Sequence, residues 1–64
     1  MKANGVHVFL EKSKRLSDFL ETQNYDITKI AVERNGQIVQ RGTYQDIMLE
    51  DDDSLEIVRF VGGG

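Results

Sequence analysis

Apolar residues return every second position in some stretches of this chain and every third or fourth in another. Val6 to Leu10, "VHVFL", is β-branched and aromatic and reads as a strand. The three residues before it, Met1 to Ala3, predict a very short strand, joined to it by Asn4-Gly5, a two-residue hairpin signal. Leu16, Phe19 and Leu20 then recur at i, i+3 and i+4, the stripe of a short amphipathic helix, with Ser13 placed to cap it. Thr22 to Asp26, "TQNYD", ends the helix. Lys29 to Arg34 predicts a strand with Ile30 and Val32 inward and Ala31 and Glu33 outward. Asn35-Gly36 turns it back into a strand over "QIVQ". Ile47, Met48 and Leu49 predict one short helical turn, and "EDDDS" a loop. Leu55 to Val61 is the last strand, with Leu55 and Ile57 on one face and Glu56, Val58 and Phe60 on the other.

One helix and five strands make an α+β chain in which the helix covers one face of a small mixed sheet. The expected core is Val6, Val8, Leu10, Leu16, Phe19, Leu20, Ile30, Val32, Ile38, Leu49, Leu55 and Ile57. Because a single helix covers a single face, Val58 and Phe60 are expected to stay exposed.

At 64 residues the chain is one domain, of modest stability and without room for a large internal cavity. The expected division is residues 1–61 as the domain and 62–64 as a flexible C-terminal glycine tail. No apolar run approaches the ~20 residues of a membrane helix, and no secretion signal stands at the N-terminus. No cysteine is present, which removes disulfides, thiolate metal sites and a thiol nucleophile, and fits a cytoplasmic location. The net charge of −3 is uneven, with +2 over residues 1–20 and −5 over residues 43–64. An acidic end offers no basic face for nucleic acid. The run Glu50 to Asp53 reads as a solvated loop, with steering of a partner as the functional alternative.

Catalytic chemistry is hard to place. His7 is the only histidine, which leaves Ser13, Ser17 and Ser54 without a triad. Asp51, Asp52 and Asp53 lack the ligand spacing of a calcium loop, and "GVHVFLE" lacks the glycines of a phosphate or dinucleotide loop. The expectation is therefore no enzyme, no cofactor and no metal site.

The chain ends "VRFVGGG", three glycines directly after an apolar strand. The α-carboxylate is ionised at neutral pH and a poor electrophile until another protein activates it, for example as an acyl-adenylate. A tail without side chains passes through a narrow channel and lies close to a nucleotide. With that tail, the element order, and the segments "RLSDFLE", "AVERNGQIVQR" and "LEDDDSLEIVRFVGGG", the chain resembles the ThiS family of thiamin-pathway sulfur carriers on the ubiquitin-like β-grasp scaffold. The resemblance covers Asn4 to Gly64 and is most specific over Leu55 to Gly64. It implies that the Gly64 carboxylate is adenylated by an ATP-dependent enzyme and converted to a thiocarboxylate with sulfur from delivery proteins. That sulfur then goes to thiazole synthase. Gly63 and Gly64 carry over as the functional pair, and Gly62 extends the clear tail. Val58, Phe60 and Arg59 are the expected partner-docking residues beside it.

Two features depart from the family pattern. The first strand is shorter than in relatives, and Asp52 stands where relatives often carry glycine. A carrier of the molybdenum-cofactor pathway shares the scaffold and double glycine. A ubiquitin-like modifier and an inert β-grasp interaction module are alternatives of other classes.

Overall fold

The computed structural model describes residues 1–10 and 14–60. Strands β1 (Lys2–Ala3) and β2 (Val6–His7) form the first hairpin. Strand β3 (Lys14–Arg15) leads into helix α1 (Leu16–Thr22), and a 3-10 turn at Ile27–Lys29 leads into β4 (Ile30–Arg34). Strand β5 (Gln37–Val39), a second 3-10 turn at Arg41–Thr43, β6 (Met48–Leu49) and β7 (Ser54–Arg59) complete the described chain. The main sheet has the order β2-β1-β7-β4-β5, with β7 parallel to β1 and antiparallel to β4. Strands β3 and β6 form a separate two-stranded sheet. No helix among the described residues is long and apolar enough to cross a membrane.

Both Asn-Gly pairs do what their chemistry predicts. Asn4 and Gly5 have φ of 52° and 80°, and Asn35 and Gly36 of 51° and 85°. Two successive residues at positive φ match the right-handed twist of the flanking strands. The helix stops by an equally local device. Asn24 takes φ 62°, the Tyr25 N–H bonds the Leu20 carbonyl, and the Asn24 N–H bonds the Glu21 carbonyl. This is the Schellman arrangement, which satisfies carbonyls the helix leaves unpaired. Asp52 is not among the residues at positive φ, so aspartate costs nothing there on that account.

The helix start differs from expectation. Arg15 is the N-cap and makes no side-chain capping bond, while Ser13 lies outside the described residues. The first helical amides are instead satisfied through space, Leu16 N–H by the Ile47 carbonyl and Ser17 N–H by the Tyr44 carbonyl. These contacts explain why Met48–Leu49 is a strand against Lys14–Arg15 and not the expected helical turn. The segment must run extended beside the helix start to present its carbonyls.

The core comprises Met1, Leu10, Leu16, Phe19, Leu20, Ile30, Val32, Tyr44, Leu49, Leu55 and Ile57, with Val8 and Val39 packed against its rim. Two expected members are corrected. Ile38 is 73% exposed, because the two-residue turn pairs Arg34 with Gln37 and so Val32 with Val39, which sends Ile38 to the opposite face. Val6 is 65% exposed, because it pairs with Ala3 at the outer edge of the sheet, where the helix no longer covers it.

Candidate functional site

The site is built on β7, whose register is fixed from three sides. At its start Asp53, only 4% exposed, accepts bonds at Oδ2 from Arg34 Nε (3.1 Å), Arg34 Nη2 (2.9 Å) and the Glu50 N–H (2.9 Å). Its Oδ1 accepts from Asn35 Nδ2 at 2.9 Å, and Asn35 Oδ1 accepts the Ser54 N–H at 2.9 Å. The acidic loop is thereby tied to the β4–β5 turn. Burial pushes the Asp53 carboxyl up, but the Glu50 amide, the Asn35 amide and the Arg34 guanidinium outweigh it and hold it below its ordinary value. Glu50, Asp52 and Asp53 bring carboxylate oxygens within 4.8 Å of one another, but both oxygens of Asp53 are already engaged.

Strand β4 pairs with β7 along its length, from Arg34 opposite Leu55 to Ile30 opposite Arg59. On the other edge β1 supplies only two paired residues before it turns away at Asn4-Gly5. The Asn4 side chain makes up the deficit. Its Nδ2 donates to the Ile57 carbonyl at 3.2 Å and its Oδ1 accepts the Ile57 N–H at 2.6 Å. The two-residue first strand is thus prolonged by a side-chain amide that imitates the next peptide group.

The end of β7 carries the residues expected to dock a partner. Val58 is 61% and Phe60 54% exposed on the face away from the helix. Phe60 is held by its N–H to the Lys29 carbonyl at 2.8 Å. Arg59 points to the helix side, where its guanidinium carbon stands 4.9 Å from the centre of the Tyr25 ring. Gly62, Gly63 and Gly64 lie outside the described residues, as does Val61. His7 is exposed on the sheet edge.

The sequence reading missed the Asn4 clamp and the Asp53 network. The first is signalled only by a strand too short for its neighbour. The second is hidden in an acidic run, Glu50 to Asp53, in which one member of four is buried. Ile38 joins Val58 and Phe60 among the exposed apolar side chains of the outer face, which the two-residue turn register would have revealed.

The ThiS family model matches residues 2–64. The sulfur carrier protein ThiS of Bacillus subtilis is 35% identical over 65 aligned positions, covering 100% of this chain and 98% of that protein. A thiazole synthase of Magnetococcus marinus is 41% identical over 61 residues, which are 95% of this chain but 19% of that protein. The crystal structure of the thiamine biosynthesis protein ThiS from Geobacter metallireducens superposes with a TM-score of 0.83 at 24% identity, covering 98% of this chain and 96% of that one.

Proposed function

The chain belongs to the ThiS family, and on that premise we propose that it carries sulfur for thiamin biosynthesis as a thiocarboxylate on Gly64. The observation that carries this reading is the family match running through Gly64, the last of three glycines that follow the β7 strand, Ser54–Arg59, closely in the sequence. An ATP-dependent adenylating enzyme joins the Gly64 carboxylate to AMP with loss of pyrophosphate. A sulfur-delivery protein then supplies the nucleophile that displaces AMP from the acyl carbon. The chain is a substrate and carrier in this scheme, not the catalyst, and needs no cysteine of its own.

Thiazole synthase is the proposed recipient of the sulfur. Relatives bearing that name, from Magnetococcus marinus and Paramagnetospirillum magneticum, each match 95% of this chain within one longer polypeptide. Val58 and Phe60 provide the apolar contact and Arg59 a weak charge contribution. Gly62 and Gly63 keep the approach to Gly64 free of side chains.

Intact mass after co-expression with the adenylating enzyme and a sulfur-delivery system tests the scheme. A gain equal to the replacement of one oxygen by sulfur is expected. An unchanged mass, or conjugates to other proteins, overturns it. Rescue of thiamin auxotrophy in a carrier-deleted host is the companion assay.

A further inference from the structure

The face of the sheet away from the helix carries the exposed side chains of Ile38, Val58 and Phe60, and two carboxylates stand among them. The β4–β7 register sets Glu33 directly opposite Glu56, and the β4–β5 register sets Ile38 on the other side of Glu33. Two residues along the same face, Val58 stands opposite Ala31, with Phe60 beyond it. The carboxylate pair is thus bordered by apolar side chains on β5 and β7.

Residues directly opposite on antiparallel strands bring their Cβ atoms to about 4.5–5.5 Å, and like charges in that position are destabilising. The period of two that buries Val32, Leu55 and Ile57 sends Glu33 and Glu56 outward together, so the register enforces the repulsion. Neither carboxylate has an ion-pair partner among the described residues, where the ion pairs are Lys29–Asp26 at 4.0 Å and Arg34–Asp53 at 2.9 Å. Lys2, opposite Ser54 on this face, is in neither of them. Asn4, one residue beyond the Ala3–Leu55 pair, has both ends of its amide engaged by Ile57. The free chain therefore holds two facing negative charges inside an apolar face, where interfaces favour a complementary charge from the other side.

We propose that thiazole synthase docks on this face with an arginine or lysine side chain seated between Glu33 and Glu56, and with apolar side chains against Ile38, Val58 and Phe60. The proposal rests on the reading above that thiazole synthase is the recipient of the sulfur. Charge complementarity places the cation: one positive group meets two carboxylates about 5 Å apart, and the surrounding apolar contacts exclude the water that would screen it. Binding relieves a repulsion that the free chain carries. The same pair disfavours any partner that presents an acidic or purely apolar surface, because the two charges are then buried uncompensated.

Glu33→Gln and Glu56→Gln, singly and together, test the inference in the whole chain. In the free protein each single change should raise the melting temperature by about 1–5 °C, because it removes the repulsion. Binding to purified thiazole synthase from the same organism should move the other way. The double variant should bind about 10-fold more weakly or worse, and its affinity should fall less steeply with salt than that of the unaltered chain. The control is Glu21→Gln with Asp46→Asn, which removes the same number of charges from exposed positions on α1 and beside the helix start. It should change affinity by less than about 2-fold. Unchanged affinity in the double glutamine variant overturns the proposal, as does an equal loss in the control, which would make the effect one of net charge. A melting temperature that rises in neither single variant shows that there is no repulsion to relieve and overturns it too. So does a loss of affinity for the adenylating enzyme with none for thiazole synthase, which would seat the cation on the other partner. Each of these results leaves the carrier reading standing. If the unaltered chain does not bind thiazole synthase at all, the recipient assignment fails, and this inference with it.

Discussion

Asp53→Asn isolates one buried carboxylate that ties three parts of the fold together. The aspartate accepts four hydrogen bonds, two of them from Arg34, whose side chain is 28% exposed against 4% for Asp53. Asparagine keeps the size but turns one acceptor into a donor facing other donors. Breaking a buried ion pair by removing one partner costs about 3–5 kcal/mol. Arg34 is partly open to water and recovers some hydration, so a loss of about 2–3 kcal/mol is expected. A chain of this size is stable by only about 3–10 kcal/mol in all. The melting temperature should then fall by about 10–20 °C at pH 7.

The pH dependence gives an independent check. The folded-state pKa of Asp53 is depressed, so its contribution is fully present above the unfolded-state value near ~3.9 and is lost as pH falls through the folded-state value. Melting curves of the wild type and Asp53→Asn, followed by circular dichroism, should therefore be far apart at pH 7 and approach each other only as the pH falls below the unfolded-state value and through the depressed folded-state one. A difference under about 3 °C at pH 7, or a gap that persists unchanged into acid, refutes the reasoning.

Asn4→Ala should cost about 1–2 kcal/mol in urea unfolding, because it leaves both backbone groups of Ile57 unpaired; an unchanged midpoint would show that water replaces the clamp. Phe60→Ala should weaken binding to the adenylating enzyme or thiazole synthase by about 30-fold. It should lower stability by only ~0.5 kcal/mol, and a clearly lowered melting point with unchanged affinity would assign Phe60 to the core. Deleting Gly64, or adding one alanine after it, displaces the reactive carbon by about 3.5 Å and should abolish ATP–pyrophosphate exchange with the fold intact. Exchange at the wild-type rate in either variant would contradict the assignment. A bulky side chain at Gly63 should block activation without changing the melting temperature; retained activation with a loss of stability would reverse that role.

The sequence by itself determined the features that depend on a few neighbouring residues. Asn4-Gly5 and Asn35-Gly36 turn where their conformational freedom allows positive φ, and Leu16, Phe19 and Leu20 make a buried stripe because the helical period aligns them. The two faces of β7 follow from a period of two, so Leu55 and Ile57 are buried and Val58 and Phe60 exposed. Tertiary structure decided what depends on distant partners. Ile47 and Tyr44 satisfy the helix start with carbonyls some thirty residues away, a role that no local pattern encodes. Asp53 is buried while Asp51 and Asp52 are exposed, because only its carboxylate meets Arg34 and Asn35 across the sheet. Asn4 is a turn residue by its own chemistry, but a clamp on Ile57 only because parallel pairing brings β7 alongside. Sequence thus placed the exposed apolar face of β7, and the distant hydrogen bonds fixed the register of the strand that carries it.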